Sequence, residues 1–293
     1  RSDYMPTYYV SVVIDDAVME VTHVIRGDDH VNNTPRQVLI YEAFGFDLPH
    51  FAHVPMILGS DKTRLSKRHG ATSVTAYKDM GFLPEAVVNY LVRLSWSHGD
   101  QEIFSREELI EFFDIGDVGK SAAVFNPEKL LWLNHHYIKT GDTARLAALV
   151  PEFLELKGYP VPDREYLQKV VTDVRERTKT LEEIVDFGDF YFTEKEPPAE
   201  LRRDFFKPDL ALAFGTLAEK LRTVDPWEHA GLEEAVRGVL EETGLKFKIL
   251  AQPMRVALTG KTVSPGIFEI MATLGRDRVL DRLSRAHACM RGS

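Results

Sequence analysis

Cysteine is almost missing. Cys289 stands alone in 293 residues, which excludes a disulfide framework and any zinc site built on several thiolates. Also lacking is any apolar run near the roughly 18 residues of a spanning helix, and any basic-then-apolar leader. A cytoplasmic protein with no membrane partner is the expectation. Positive charge is in deficit, with a net charge of −9. That weighs against nucleic acid in bulk, because phosphates need local positive charge, but it leaves room for a basic patch on one face. Strand-like alternation is scarce beyond residue 76, and there is no internal repeat or low-complexity tract.

What is present suits a globular chain of more than one domain: 28% charged and 44% apolar residues over this length. Tyr8-Tyr9-Val10-Ser11-Val12-Val13-Ile14 is β-branched and aromatic, which predicts a strand ended by Asp15-Asp16. A second strand is predicted over 21–25, stopping at Arg26-Gly27-Asp28-Asp29-His30. Thr34-Pro35 supplies an N-cap and a first-turn proline for a helix to Ala43. Phe51 to Leu58 predicts another strand, followed by a polar loop from Gly59 to Gly70. From Pro84 the chain turns helical, with Val87, Val88, Leu91, Val92 and Leu94 as the apolar positions. Ser105-Arg106-Glu107-Glu108 reads as a capping box, and Asn126-Pro127 opens the next helix. Further helices are predicted over 143–157, 164–178, 180–187, 208–223, 228–243, 249–258, 265–274 and 276–288, interrupted at Pro197-Pro198.

Two clusters can carry chemistry. Lys62, Arg64, Lys67 and Arg68 crowd a glycine-bounded loop able to close over phosphates, or simply to sit solvated. Arg26-Gly27-Asp28-Asp29-His30 lies where a strand ends and a helix approaches, a favoured ligand position in α/β sheets. Its guanidinium can grip a carboxylate, its acids and histidine can hold a divalent metal, or the acids can simply bond a turn. Tyr8 is a core aromatic or the wall of a ligand site. Arg175 and Arg177 form a charged helix face or a nucleobase reader.

Lys62-Thr63-Arg64-Leu65-Ser66-Lys67-Arg68-His69-Gly70 resembles the Lys-Met-Ser-Lys-Ser loop of class I aminoacyl-tRNA synthetases in its glutamate form. Pro6-Thr7-Tyr8, Thr22 to His30, Asn32 to Gln37, Phe82 to Ala86, Phe125 to Asn134, Ala251 to Gly260 and Ser264-Pro265-Gly266 resemble bacterial-type glutamyl-tRNA synthetase in the same order. The resemblance implies a multidomain chain. Residues 1–75 would be the second half of a Rossmann-like α/β catalytic domain, and 76–141 a mixed, mainly helical stem-contact domain. Residues 142–198 and 199–290 would be two helical bundles that bind the anticodon.

By the same resemblance Lys67, Ser66 and Arg64 serve the ATP phosphates, with Arg64 standing where the family pattern has lysine. Tyr8 and Arg26 hold glutamate, Arg26 through its side-chain carboxylate. Met56 and Ile57 offer backbone to adenine, and Arg177, with Arg175 beside it, meets the anticodon. ATP and L-glutamate would form an adenylate, Mg2+ would accompany ATP with no zinc site in this chain, and tRNA(Glu) would receive the glutamyl group from a monomeric enzyme. Charging of tRNA(Gln) as well, tRNA binding without chemistry, and glutamylation of a tRNA base are the alternatives. The last sits poorly with 142–290, since such relatives lack an anticodon-binding region.

Two departures stand out. Tyr4 replaces a family glycine, and Val12 stands where some members have asparagine. No His-x-Gly-His motif occurs in the sequence. The expectation is a C-terminal two-thirds with one side of the active site and negligible adenylate formation by itself.

Overall fold

The computed structural model describes residues 5–66 and 73–292. Lys67, Arg68 and Tyr4, singled out above, lie outside the described residues. The chain divides into two compact units, Arg1–Asp79 with Pro84–Leu133, and Met80–Leu83 with Asn134–Ser293.

The first unit corrects the first expectation. Tyr8–Val18 is a helix, α1, not a strand, and Asp15 and Asp16 lie inside it. Thr7 holds the extended N-cap conformation. Val13 is fully buried, with half-buried Tyr9, Val10 and Ala17 one turn away on either side. That spacing is a helical stripe, and packing on α2 (Thr34–Phe44) overrides the β-branched composition. The α2 helix begins one residue earlier than predicted, with Asn33 as N-cap, and ends at Gly45, where φ is 70°.

Strands β1 (His23–Gly27) and β2 (His50–Val54) pair in parallel, with Arg26 opposite His53. A 3-10 turn over Asp28–Asn33 and then α2 form the crossover between them. The predicted 51–58 strand splits at Pro55, which has no N–H to give a ladder. Its tail, β3 (Ile57–Leu58), pairs in parallel with β4 (Ala123–Val124) instead.

Helices α3 (Val74–Asp79), α4 (Pro84–Arg93) and α5 (Arg106–Phe112) complete this unit with the start of α6 (Pro127–Thr140). The capping box at α5 is formed, Ser105 and Glu108 each bonding the other's backbone N–H. The inward face of α4 is Ala86, Val87, Asn89 and Tyr90, while Val88 and Leu91 are exposed. The Tyr90 hydroxyl accepts the Asn126 N–H at 2.6 Å, just ahead of α6.

The second unit is helical throughout its named elements. After the turn at Gly141 come α7 (Thr143–Leu156), α8 (Arg164–Val174), α9 (Leu181–Phe187) and α10 (Asp189–Phe192). Then follow α11 (Ala199–Phe205), α12 (Ala211–Arg222), α13 (His229–Thr243), α14 (Phe247–Thr259), α15 (Ile267–Leu274) and α16 (Arg276–Arg291). The predicted helices are present, and the short α10 and α11 were not foreseen. The residues Met80–Leu83 join this unit through buried Asn134. Its Oδ1 accepts the Leu83 N–H at 2.8 Å and its Nδ2 donates to the Lys179 carbonyl at 2.5 Å. Leu181 N–H also donates to the Gly81 carbonyl. No helix among the described residues is long and apolar enough to cross a membrane.

Candidate functional site

At the C-terminal end of β1, Arg26 is half-buried and its Nη2 is fully committed. One bond goes to Thr34 Oγ1 at 2.8 Å and one to Gln37 Oε1 at 2.6 Å. The guanidinium also lies 5.7 Å from the Phe51 ring centroid. Its Nε is buried without a hydrogen-bond partner. Thr34 Oγ1 lies 3.0 Å from His53 Nε2 and can donate to the His30 carbonyl at 3.3 Å. Burial first, then Arg26 and the neighbouring His30, hold the His53 pKa below its ordinary value, against the pull of Asp28. Burial raises the Asp16 carboxyl, with Arg26 opposing it.

His30 carries the site to Tyr8. The Tyr8 hydroxyl stands 3.3 Å from His30 Nδ1, and Asn33 Nδ2 reaches the same nitrogen at 3.1 Å. Asn33 Oδ1 already accepts from Tyr9, so its Nδ2 donates and Nδ1 accepts, which puts the proton of the neutral ring on Nε2. Tyr8 is 48% exposed, so it faces solvent and is not the core aromatic weighed above. Tyr9 turns elsewhere, bonding Asn33 and accepting from Arg36.

The cationic loop is a built turn as far as Ser66. Gly59 N–H donates to the Thr63 carbonyl, Lys62 N–H to that of Gly59, and Leu65 N–H to that of Ile57. Asp61 Oδ1 accepts both the backbone N–H and the hydroxyl of Thr63, which places Lys62 at φ 61°. Arg64 pairs with Asp29 at 2.9 Å, tying this loop to the turn after β1. Met56 and Ile57 are half-buried next to it, and Ser66 is half-buried at its described end. The structure thus brings Tyr8, Arg26, Met56, Ile57, Arg64 and Ser66 into the first unit. Among the described residues no group of three His, Cys, Asp or Glu side chains is placed to hold a metal ion.

In the second unit the two candidate arginines differ. Arg175 donates to the Gly141 carbonyl and Thr143 Oγ1, so it braces the α6–α7 turn. Arg177 is exposed, and its charge reaches Arg255. Burial, then Arg177, lowers the Arg255 pKa, while Arg255 holds the Ser264 and Pro265 carbonyls. Sequence reasoning missed Gln37, His53, Thr34 and Arg255. Only Gln37 left a trace, an amide just ahead of the apolar run Val38-Leu39-Ile40.

Residues 1–132 match the catalytic domain of class I tRNA synthetases (E and Q), and residues 145–287 match an anticodon binding domain. The chain is 56% identical over 293 residues to glutamate–tRNA ligase 1 of Syntrophus aciditrophicus, covering 99% of this chain and 62% of the relative. The glutamate–tRNA ligase of Geobacter sulfurreducens is 56% identical over 289 residues, with 98% and 62% covered. A crystal structure of a glutamate tRNA ligase from Elizabethkingia meningosepticum, in complex with its amino acid, superposes with a TM-score of 0.81. It is 30% identical and covers 98% of this chain and 61% of that one. The chain therefore spans about three-fifths of the length of these relatives.

Proposed function

We propose that this chain is part of a class I tRNA synthetase, a glutamate–tRNA ligase. It contributes the amino-acid wall and signature loop of the adenylate site, and the region that meets the anticodon. The observation carrying this is Arg26. Its Nη2 is spent on Thr34 and Gln37, and its Nη1 makes no hydrogen bond among the described residues. A guanidinium fixed on one side and open on the other suits the side-chain carboxylate of glutamate. Tyr8, facing solvent and bonded to His30, closes the same site.

In this reading the glutamate α-carboxylate attacks the α-phosphate of ATP, and pyrophosphate leaves. The terminal ribose hydroxyl of tRNA(Glu) then attacks the activated carboxyl and releases AMP. The protein needs no nucleophile; it binds, orients and balances charge. Lys67, Ser66 and Arg64 act on the phosphates, and Met56 and Ile57 offer backbone to adenine. Arg177 meets the anticodon, with Arg175 behind it as a brace. Mg2+ arrives on the ATP phosphates, which need no all-protein cage. The enzyme is taken as a cytoplasmic monomer.

The test is glutamate-dependent ATP–pyrophosphate exchange by the whole protein. Arg26→Ala should raise the KM for glutamate by about a hundredfold, the scale of a lost charged hydrogen-bond pair. Native exchange supported equally by aspartate or glutamine would sink the assignment. Anticodon stem-loop binding without any exchange would leave a tRNA-binding module, the reading favoured by residues 145–287 alone.

A further inference from the structure

We infer that Gln37 and His53 are positioning residues for Arg26, Gln37 directly and His53 through the Thr34 hydroxyl, and that together they set selectivity for a side-chain carboxylate. This inference rests on the glutamate reading of the site.

A planar guanidinium carries five N–H donors in a fixed fork. Both hydrogens of Nη2 have protein acceptors, Gln37 Oε1 at 2.6 Å and Thr34 Oγ1 at 2.8 Å. The group therefore cannot swing, and a ligand carboxylate is left with Nη1. Gln37 is 1% exposed and its Nε2 has no partner. A buried amide with an unpaired donor is expensive, and nothing around Nε2 rewards it. The side chain is held there by the bond its oxygen makes to Arg26. Turning the amide over would set N–H against N–H, so its orientation follows from the arginine.

His53 acts one bond further out. It is the register partner of Arg26 across the β1–β2 pair, so the sheet delivers its ring beside Thr34. The 3.0 Å contact from Nε2 to Thr34 Oγ1 fixes that hydroxyl, which in turn accepts from Arg26. An uncharged His53 imidazole adds no second cation beside Arg26. The pocket then balances a single carboxylate and not two.

The test is steady-state exchange by the whole protein carrying Gln37→Leu or His53→Phe, each alone and each with Arg26→Ala. Gln37→Leu should raise the KM for glutamate about tenfold and His53→Phe about threefold, with the KM for ATP and the melting temperature nearly unchanged. In the Arg26→Ala background neither substitution should add to the loss, because the group being positioned is gone. Gln37→Asn should recover part of the glutamate KM in the native background. An unchanged glutamate KM in both variants, or a loss that adds fully to that of Arg26→Ala, overturns the inference and leaves the glutamate reading standing. A native protein whose exchange does not depend on glutamate overturns both.

Discussion

The Tyr191 hydroxyl of α10 donates to Asp173 Oδ2 of α8 over 2.6 Å, inside the helical unit. Thr273 of α15 also bonds this carboxyl, and Glu269 of the same helix acts on it through its charge. Arg278 of α16 binds the Tyr166 hydroxyl and the Tyr191 carbonyl next to it. Burial is the largest influence on Asp173 and raises it from 3.8 to about 6, with Glu269 adding and the Tyr191 and Thr273 bonds opposing. A raised carboxyl is more readily protonated in the fold than in the unfolded chain. Stability is therefore greatest below pH 3.8 as far as this group is concerned, falls as pH rises to about 6, and stays lowered above that. The shift amounts to about 3 kcal/mol. Asp173→Asn should raise stability at pH 7.5 by up to about that amount and flatten the slope between pH 4 and 6. Urea melts across that range would refute the assignment if the two slopes coincide.

Asn134 offers a second measurement. It satisfies the Leu83 N–H and the Lys179 carbonyl while wholly buried. Asn134→Leu keeps the volume and strands both groups, at a cost of about 2 to 4 kcal/mol. Gly81→Ala attacks the same junction differently. Its φ is 79°, and an added Cβ would lie 2.7 Å from the Glu182 backbone nitrogen. Both variants should expose 80–83 to hydrogen exchange before the rest of the unit, and protection equal to the native chain would count against them.

Arg282 is a third. Its side chain is 5% exposed and donates to the carbonyls of Leu258 and Phe190 and to Glu194. One guanidinium thus joins the end of α14, α10 and the segment before α11. Arg282→Met removes the charge and leaves the buried carbonyls without their donor, with Glu194 keeping only its longer pairing to Arg285, so about 3 kcal/mol should be lost. Arg282→Lys should recover little, since an ammonium cannot span that fork. Denaturation midpoints within about 1 kcal/mol of native would contradict this.

His53 supplies a spectroscopic check on the first unit. Its ring should titrate below 6.5, held down by burial and by Arg26. Because the unfolded chain takes the proton first, this group's contribution to stability is present above pH 6.5 and is lost as pH falls. In Arg26→Ala the midpoint should move upward. An imidazole NMR titration showing no difference between the two would separate His53 from Arg26.

Much of this was legible in the sequence, and the failures have physical causes. Helices with apolar stripes and strong caps, such as α5 with Ser105 and Glu108, announced themselves locally. The motif residues Arg26, Tyr8 and Arg64 fell into one unit, Arg64 tied to the turn after β1 by Asp29 and Tyr8 by His30. The α1 segment misled because its composition favours strands while its burial follows a helix. Val13, Tyr9 and Ala17 were the clue, four residues apart. His53 was invisible since its place beside Thr34 depends on β1–β2 register, and Gln37 left only a faint trace since its contact depends on how α2 packs beside β1. Arg175 and Arg177 looked equivalent in the chain, yet one braces a turn and the other meets solvent.

The helical form of α1 has a further consequence for Tyr8 and Tyr9. Neighbours on a strand point to opposite faces, whereas neighbours on a helix are about 100° apart. That smaller rotation lets both rings address the same short turn, Tyr8 at His30 and Tyr9 at Asn33, with the two rings meeting edge-on at 5.6 Å. The two rings are therefore coupled, each bonded to the turn and each in contact with the other. Whatever ligand displaces the Tyr8 hydroxyl from His30 must also disturb the ring behind it, and through Tyr9 the Arg36 side chain at the far margin of the turn.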